Sequence, residues 1–357
     1  MNMIFIFLLI FISTLFSLPN YSIQESSGCI NCHVNPTGGG MRNDYGSNIY
    51  TLDDLSIRKW IKNDEKKFDG FIKDNIQIGG EFRIQSYDGQ QESSIFPMQI
   101  DLYSNIEFNN DVSLFMKYGT KLELYVLLDD MLISDWIKIG KSMPNYGLKL
   151  DDHTSFIRGG NSSKTYVSSG LVDEGLIFDY AGSYEDPNLI EIGAKINKNI
   201  NLTSSISTGI LDHNKENITI SVSYKNKIGF GSVLFGTSFM KEDDLKMIGL
   251  FGGISKGKLT FSCEIDRVNN WIINYESIAS YFEMMYKPIQ GVYIIAKYDY
   301  FDKNSNLLDG SVDRYSFGVN VFPSNMLEIK FQLREYKLYS IDFDTDTEYL
   351  VQLHTWF

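Results

Sequence analysis

From about residue 75 to the end of the chain, apolar and polar residues alternate with a period of two. The pattern is clearest at 327–334, which reads LEIKFQLR, at 314–321, which reads RYSFGVNV, and at 100–108, which reads IDLYSNIEF. Successive side chains of a β-strand point to opposite faces, so this period predicts strands with one apolar and one polar face. Short polar breaks such as 109–111 and 303–306 have the composition of turns.

Two architectures accommodate such strands. In a soluble sandwich the apolar faces meet in a core, whereas in a transmembrane barrel they face lipid and the polar faces line a lumen. The alternating segments are about 9–11 residues long, as a tilted membrane strand requires. Aromatic residues also gather at strand ends, as a girdle at the membrane surface would: Tyr298, Tyr300, Tyr336 and Tyr339. Both features favour the barrel.

The last alternating strand ends on Phe357, and this ending resembles the C-terminal signal of bacterial outer-membrane barrels. We therefore expect an all-β fold, a transmembrane antiparallel β-barrel of about 16 strands, with about 14 or 18 as alternatives. The barrel is expected to span residues 73–357.

The same parity assigns charged side chains of both signs to the lumen. They are Glu81, Arg83, Asp101, Glu107, Glu123, Glu264, Lys297, Asp299, Arg314, Glu328, Lys330 and Arg334. Such residues usually form a solvated wall rather than a substrate-specific site. Cys263, in register with Phe261 and Ile265, is expected to face lipid as an apolar filler.

Composition narrows the function classes. The 357 residues include 45 acidic and 32 basic side chains, for a net charge of −13. This balance argues against a general nucleic-acid-binding protein, which needs basic residues to neutralise phosphates. The three cysteines are too few for a multi-disulfide scaffold.

The N-terminal segment predicts export. Residues 4–16 read IFIFLLIFISTLF, an apolar run that matches the core of a secretory signal and falls short of a membrane span. The preceding MNM has no basic residue and no A-x-A site follows, so cleavage is expected near Ser17 or Ser22. We assign residues 1–22 to a signal peptide, with an uncleaved anchor as the alternative.

One short motif predicts specific chemistry. Cys29-Ile30-Asn31-Cys32-His33 has the C-x-x-C-H spacing of c-type haem attachment. Cys29 and Cys32 can add to the two vinyl groups of one haem, and His33 is then placed to bind its iron. A thioredoxin-like pair would need a surrounding βαβ pattern, zinc would need further nearby ligands, and acylation of Cys29 would need a later apolar run. We therefore expect one covalent haem c.

The residues around the motif predict a small plug. Pro36 and the triplet Gly38, Gly39 and Gly40 allow a tight turn and a close approach of the backbone to a porphyrin face. Residues 52–62 are expected to form a short amphipathic helix. The segment 23–72 is too small for a full cytochrome domain, so its haem needs shelter, which a barrel lumen offers.

The chain resembles the fused monohaem cytochrome–porin family of bacterial outer membranes. The resemblance rests on Cys29, Cys32 and His33, with Pro36 and Gly46 near the family's Pro and Gly, and on the overall arrangement of signal, plug and barrel. It implies electron transfer across the outer membrane, notably in iron oxidation. The glycine triplet at 38–40 departs from the iron-oxidising pattern, so the resemblance leaves the donor open.

The sixth ligand of the haem iron has several candidates. Met41 lies eight residues past His33 and would raise the reduction potential. His153 lies in a long segment between strands that is expected to fold inward. His354 faces the lumen by parity, near the mouth where the plug begins, and His213 lies in a polar loop.

The main interpretation is an electron-transfer protein that passes electrons between extracellular donors or acceptors, ferrous iron among them, and a periplasmic c-type cytochrome or small redox carrier. The acidic lumen would attract cations. The alternatives are a diffusion porin whose haem segment is structural or gating, and a haem enzyme with an open distal site. We expect an electron carrier rather than a catalyst.

Overall fold

The computed structural model describes residues 20–24, 27–57, 70–89, 93–119, 121–132, 134–148, 150, 155–158, 186–229, 231–270, 275–307, 310–339 and 344–357. Most of residues 1–22, and His153, lie outside this described part. No helix in these ranges is long and apolar enough to cross a membrane.

The described chain is dominated by β-strands. Their bounds are β1 Phe71–Lys73, β2 Ile76–Asp88, β3 Ser93–Asn109, β4 Val112–Gly119, β5 Glu123–Met131, β6 Ser134–Lys141, β7 Asn188–Lys195, β8 Ile200–Thr208, β9 Glu216–Ile228, β10 Gly231–Glu242, β11 Leu245–Lys256, β12 Leu259–Asn269, β13 Glu276–Ile289, β14 Val292–Asp302, β15 Ser311–Ser324, β16 Leu327–Tyr339 and β17 Asp344–Trp356. The helical elements are a short α-helix Asn20–Gln24, a 3₁₀ turn Cys29–Asn31, a π-helix Tyr45–Leu55 and a 3₁₀ turn Phe156–Arg158.

The sheet closes on itself. Each strand from β2 to β17 pairs antiparallel with its neighbours in sequence, and β17 pairs with β2 from Tyr349↔Asp88 to Trp356↔Glu81. The 17-stranded sheet thus consists of a closed ring of 16 strands and the short β1, which pairs with β2. Closure removes the open edges that a membrane does not tolerate. The predicted 16-stranded antiparallel barrel is confirmed.

Burial alternates in the sense that a membrane barrel requires. On β16, Phe331 and Leu333 are 48% and 43% exposed on the outside, while Glu328 and Arg334 are 3% and 1% exposed on the inside. A sandwich would bury the apolar face instead. The inverted pattern excludes the sandwich and confirms the predicted parity, since lipid solvates the apolar face.

Most of the predicted lumen charges lie inside. Two of them are less buried than the rest: Glu107 is exposed at the end of β3, and Glu123 is half-buried. Tyr336, expected in an aromatic girdle, instead points inward, where its hydroxyl lies 3.5 Å from Arg314 Nη1 and donates to Glu348 at 3.4 Å. Cys263 is in the outward register as expected, but its neighbours leave it only 8% exposed.

The two ends of the barrel differ in their connections. At one end, which we call the short-turn end, strands are joined by four residues or fewer, as at 110–111, 257–258 and 325–326. At the other, the long-loop end, the connection between β6 and β7 runs from 142 to 187. In outer-membrane barrels the short turns are periplasmic and the long loops extracellular.

Both ends of the lumen hold inserted chain. From the long-loop end, the stretch Met143–Leu148 folds inward: Tyr146 donates to Asp266 at 3.0 Å, Gly147 N–H to Ser238 at 2.9 Å and Leu148 N–H to Glu264 at 2.7 Å. Around it lies an apolar cluster of Ile23, Met143, Tyr146, Leu148, Phe156, Ile157, Ile210, Leu234, Met240, Leu245, Met247, Phe251, Val268, Ala279, Tyr281, Phe301, Val312 and Tyr336.

Residues 27–57 occupy the short-turn half of the lumen. Ile57 N–H donates to Phe322 C=O at 2.9 Å, and Gln290 donates to the carbonyls of Asp53 and Ser56, each at 2.9 Å. The helix predicted over 52–62 differs from the observed one, which begins at Tyr45 and ends at Leu55; residues 58–69 lie outside the described part. The backbone of Ser56 is extended, because the next residue, Ile57, hydrogen-bonds to β15 of the barrel.

Candidate cofactor site

The two motif cysteines lie on one short turn. Cys29–Asn31 forms a 3₁₀ turn in which Cys32 N–H and His33 N–H both donate to Cys29 C=O, at 3.0 and 2.9 Å. Residues three apart eclipse each other in this helix type. Cys29 and Cys32 therefore present their thiols on the same side; they are not joined in a disulfide and both are partly accessible.

Asn43 ties this turn to the helix that follows. Its side-chain NH₂ donates to the carbonyls of Ile30 and Asn31 at 3.0 and 3.2 Å, and its Oδ1 accepts from Gly46 N–H at 2.9 Å. Its own backbone N–H donates to Cys32 C=O at 3.0 Å. The sequence reasoning missed Asn43, although an Asn just before a helix is a common capping signal.

Two glycines bring the chain close to the cysteines. A Cβ at Gly46 would lie 2.2 Å from Cys32 O, and a Cβ at Gly38, whose φ is +91°, would lie 3.0 Å from both Cβ and Sγ of Cys29. A side chain at either position would collide with the motif turn. The glycine triplet was expected to approach a porphyrin; Gly38 approaches the cysteine that would bear one.

The motif opens onto one cavity inside the barrel, which we call the site cavity. Cys29, Cys32 and His33 form one side. The apolar part of its wall consists of Tyr21, Tyr50, Leu55, Leu150, Phe322 and Trp356. Its polar part consists of Arg42, Thr51, Glu81, Arg83, Gln99, Glu328 and His354. The cavity thus joins two thiols, an imidazole, an aromatic wall and a charged wall.

The aromatic wall is a contiguous cluster. Ring centroids of Tyr21 and Tyr293 are 5.7 Å apart, those of Tyr293 and Phe322 5.6 Å, and those of Phe322 and Trp356 6.3 Å, all edge-on. Edge-to-face contact at these distances is favourable beyond simple burial. Tyr21 also packs on Tyr50 of the π-helix at 6.2 Å, so the plug and the barrel share this cluster.

A hydrogen-bonded ionic network forms the charged wall. His354 Nε2 is 2.8 Å from Glu81 Oε1, and His354 Nδ1 is 3.0 Å from Glu328 Oε2. Arg83 Nη2 pairs with Glu81 Oε1 at 2.5 Å, and Tyr103 donates to Glu81 Oε2 at 2.7 Å. Buried charges of opposite sign are tolerated when they are paired and hydrogen-bonded in this way.

The structure places the candidate distal ligands differently. His354 is at the site cavity with Cys29, Cys32 and His33, but its Nδ1 is hydrogen-bonded to Glu328 and its Nε2 lies 2.8 Å from a Glu81 oxygen. His213 is exposed in the loop between β8 and β9, away from this cavity. His153 lies outside the described residues.

Met41 is packed away from the site cavity. Val34 N–H donates to Met41 C=O at 3.1 Å, and the next pair along, His33 and Arg42, forms an antiparallel bridge. Neighbouring residues in such a pairing point to opposite sides. His33 and Arg42 accordingly line the cavity, while Met41 and Val34 pack against Tyr103, Phe115, Tyr125, Leu127 and Trp136.

A second cavity lies on the other side of the motif turn. Its volume is about 530 Å³, whereas that of the site cavity is about 180 Å³. It is bounded by Cys29 and Pro36 on the plug and by Asn145 of the inward stretch. At the short-turn end, its lining includes Asp129, Asp130 and Asp135. Because Cys29 borders both cavities, this space connects the motif with the short-turn end.

These features define a class: a closed, 16-stranded antiparallel barrel of porin architecture, located in the bacterial outer membrane. The solved structures to which it is similar include an anion-selective porin from Comamonas acidovorans, with 12% identity, a TM-score of 0.56, and coverage of 79% of this chain and 99% of that one. No family model and no curated protein matches the chain.

Two further similarities agree with this class. The outer-membrane channel DcaP of Acinetobacter baumannii has 11% identity and a TM-score of 0.55, over 81% of this chain and 99% of that one. A loop-deletion mutant of OmpT, an outer membrane protein of Vibrio cholerae, has 12% identity and a TM-score of 0.54, and the match covers 79% of this chain and 99% of that one. At these identities the likeness concerns the fold, and the barrel accounts for most of it.

Proposed function

We propose that this chain is an outer-membrane electron-transfer protein of the cytochrome–porin type, with one covalent c-type haem in the lumen. The observation that carries the proposal is that Cys29, Cys32 and His33 all line the same lumen cavity, which has an aromatic wall. The residues fit the group: the thiols share one side of a turn, and both cysteines and His33 line the same cavity. A haem supplies one-electron chemistry there.

Each residue of the site has a defined task. Cys29 and Cys32 tether the porphyrin, and His33 binds the iron from the same turn. Asn43 holds that turn against the π-helix, so the imidazole does not swing away. Tyr50, Phe322 and Trp356 give the cavity an apolar side, on which nearby charges would act more strongly on the iron than they do in water.

The position of the site sets the direction from which partners arrive. Residues 27–57 lie in the short-turn, periplasmic half, while the stretch Met143–Leu148 folds inward from the extracellular end and lines the second cavity with Asn145 and Gly147. A hydrocarbon layer about 30 Å thick separates the two surfaces, so one haem does not contact both. The second cavity, with its acidic residues at the periplasmic end, is the route for a cationic carrier.

A haem stain tests the proposal. Outer-membrane fractions containing the full chain should show a haem-positive band at its position, and Cys32→Ala should lose most of the stain that survives denaturation. Ser262→Ala, a lumen-facing change on β12, is the matched control and should keep it. A wild-type band without haem would refute the electron-transfer function.

A second candidate function is a diffusion porin whose N-terminal segment is structural or gating. The observation that favours it is the fold, which is shared with porins and channels, whereas none of those comparisons bears on haem. A porin should conduct ions in planar bilayers and exchange no electrons with purified periplasmic cytochrome. The electron carrier should show slight conductance and rapid exchange.

A further inference from the structure

We propose that Arg42 binds a carboxylate of the group tethered at Cys29 and Cys32, which makes it the propionate-positioning residue of the site. This inference rests on the proposed function, because a haem carries two propionates and the thiols would hold it in reach of the charged wall. It adds a residue that the motif itself does not name.

The first observation is the placement of Arg42. It is the bridge partner of His33, so its side chain and the imidazole leave the backbone on the same side. Side chains of directly paired residues have Cβ atoms about 4.5–5.5 Å apart. The carbonyl of Arg42 accepts a hydrogen bond from Gln77 at 3.1 Å, which fixes this backbone to β2. The guanidinium is thus held beside the proposed iron ligand.

The second observation is how the guanidinium is held. Its central carbon lies 4.3 Å from the centroid of the Trp356 ring, and the side chain is half-buried on the wall of the site cavity. Within the described part of the chain, Arg42 takes part in no ion pair shorter than 4.0 Å, whereas Arg83 is paired with Glu81. Stacking orients a guanidinium and leaves its N–H edge for a carboxylate.

The third observation concerns charge. A carboxylate entering this cavity meets Glu81 and Glu328, whose oxygens lie 2.8 and 3.0 Å from the ring nitrogens of His354. Arg83 is already paired with Glu81, so the negative charge of Glu328 opposes a further carboxylate unless another cation lies beside it. Arg42 supplies that cation, and a guanidinium matches a carboxylate in a bidentate geometry. A neutral side chain at position 42 would not offset the charge of the entering carboxylate.

The test compares full-length Arg42→Gln, Arg42→Lys and wild type in detergent-extracted outer membranes. The control is Arg267→Gln, a surface arginine paired with Glu276 at the rim. Ferric haem carries one more positive charge than ferrous haem, so a nearby cation favours the ferrous form. We expect Arg42→Gln to keep its covalent haem and to be reduced about tenfold less readily, which for one electron is about 59 mV in midpoint potential.

Arg42→Lys should recover part of this difference, because it keeps the charge and loses the planar fork. Arg267→Gln should match wild type. A midpoint potential for both Arg42 variants equal to that of wild type would overturn the inference while leaving the electron-transfer function in place. Absence of haem from the wild-type protein would overturn both. Heat-modifiable gel mobility verifies that each variant is folded, and Arg42→Lys carries the test if Arg42→Gln does not assemble.

Discussion

Gly46 lies directly against the carbonyl oxygen of Cys32, where an added Cβ would stand 2.2 Å from that oxygen. This contact joins the start of the π-helix to the end of the C-x-x-C-H motif. It accounts physically for the glycine that the sequence resemblance highlighted, because no side chain fits between the two backbone segments.

We therefore predict that Gly46→Ala separates the helix from the motif turn. Overpacking of this kind costs about 1–3 kcal/mol, enough to disorder a short plug. The expected result is a several-fold loss of covalent haem per barrel, measured by haem absorbance against protein. Gly229→Ala in the turn after β9 is the control, because a Cβ there has nothing within 4 Å. Equal haem content in both variants would contradict the prediction.

Asn43→Ala should loosen the motif turn. The change removes two donated bonds and one accepted bond at the turn, each worth about 1 kcal/mol. In haem-free protein, native-state alkylation of Cys29 and Cys32 should become faster by several-fold. The alkylation rate of Asn43→Asp should lie between those of wild type and Asn43→Ala, because Asp keeps the acceptor for Gly46 N–H and loses the two donors. Unchanged alkylation rates would show that Asn43 does not hold the turn.

Met41→Leu should leave the haem spectrum unchanged. Met41 packs with Val34 into the apolar cluster on β3–β6, on the side of the hairpin opposite His33, and Leu replaces Met there with little change in volume. The measurement is the visible spectrum of the oxidised and reduced protein. Conversion of a low-spin spectrum to a high-spin one would instead identify Met41 as the distal ligand.

His354→Leu should weaken the barrel near its closing seam. The imidazole lies between Glu81 and Glu328 and is hydrogen-bonded to Glu328, so its loss leaves the buried Glu328 carboxylate without this partner. Breaking a buried pair costs about 3 kcal/mol. In urea unfolding of the detergent-refolded barrel, the midpoint concentration should be lower for His354→Leu than for wild type. His213→Leu in the exposed loop is the control, and a midpoint shift of similar size there would argue against the bridge.

Loosening the inward stretch should open the lumen. Tyr146 and Leu148 are held by Asp266 and Glu264, so the double variant Tyr146→Phe, Glu264→Ala removes both attachments. Single-channel conductance in planar bilayers should rise several-fold over wild type. Glu335→Gln on the outside of β16 should have no effect. A wild-type conductance already as high as that of the variant would favour the diffusion porin.

Much of the barrel could be predicted from the chain alone. The alternation at 327–334 specifies which side chains share a face, and the strand number follows from counting such segments. Parity also placed Arg314, Glu328 and Arg334 in the lumen. These predictions succeed because the period of a strand is a local property of the backbone.

Other features depend on contacts between distant residues. The inward direction of Tyr336 is not among them: it shares the parity of Arg334, which already indicates a lumen-facing side chain near Glu348. The motif predicted Cys29, Cys32 and His33, but not Asn43 or Arg42, whose positions arise from hydrogen bonds within the plug and from the contact of Arg42 with Trp356 on β17. Single residues of common types carry no local signal of that kind.

The sequence by itself determined the inside-out alternation, the closed all-β class and the three motif residues, because each is encoded by spacing along the chain. Only the tertiary structure decided that the motif opens onto the cavity lined by Trp356 and His354, and that Met41 lies on the far side of its hairpin. The reason is that His354 and His33 are 321 positions apart (354 − 33): closure of β17 on β2 places His354 in the lumen, and the hydrogen bond from Gln77 of β2 to Arg42 C=O holds the hairpin of His33 at the same cavity.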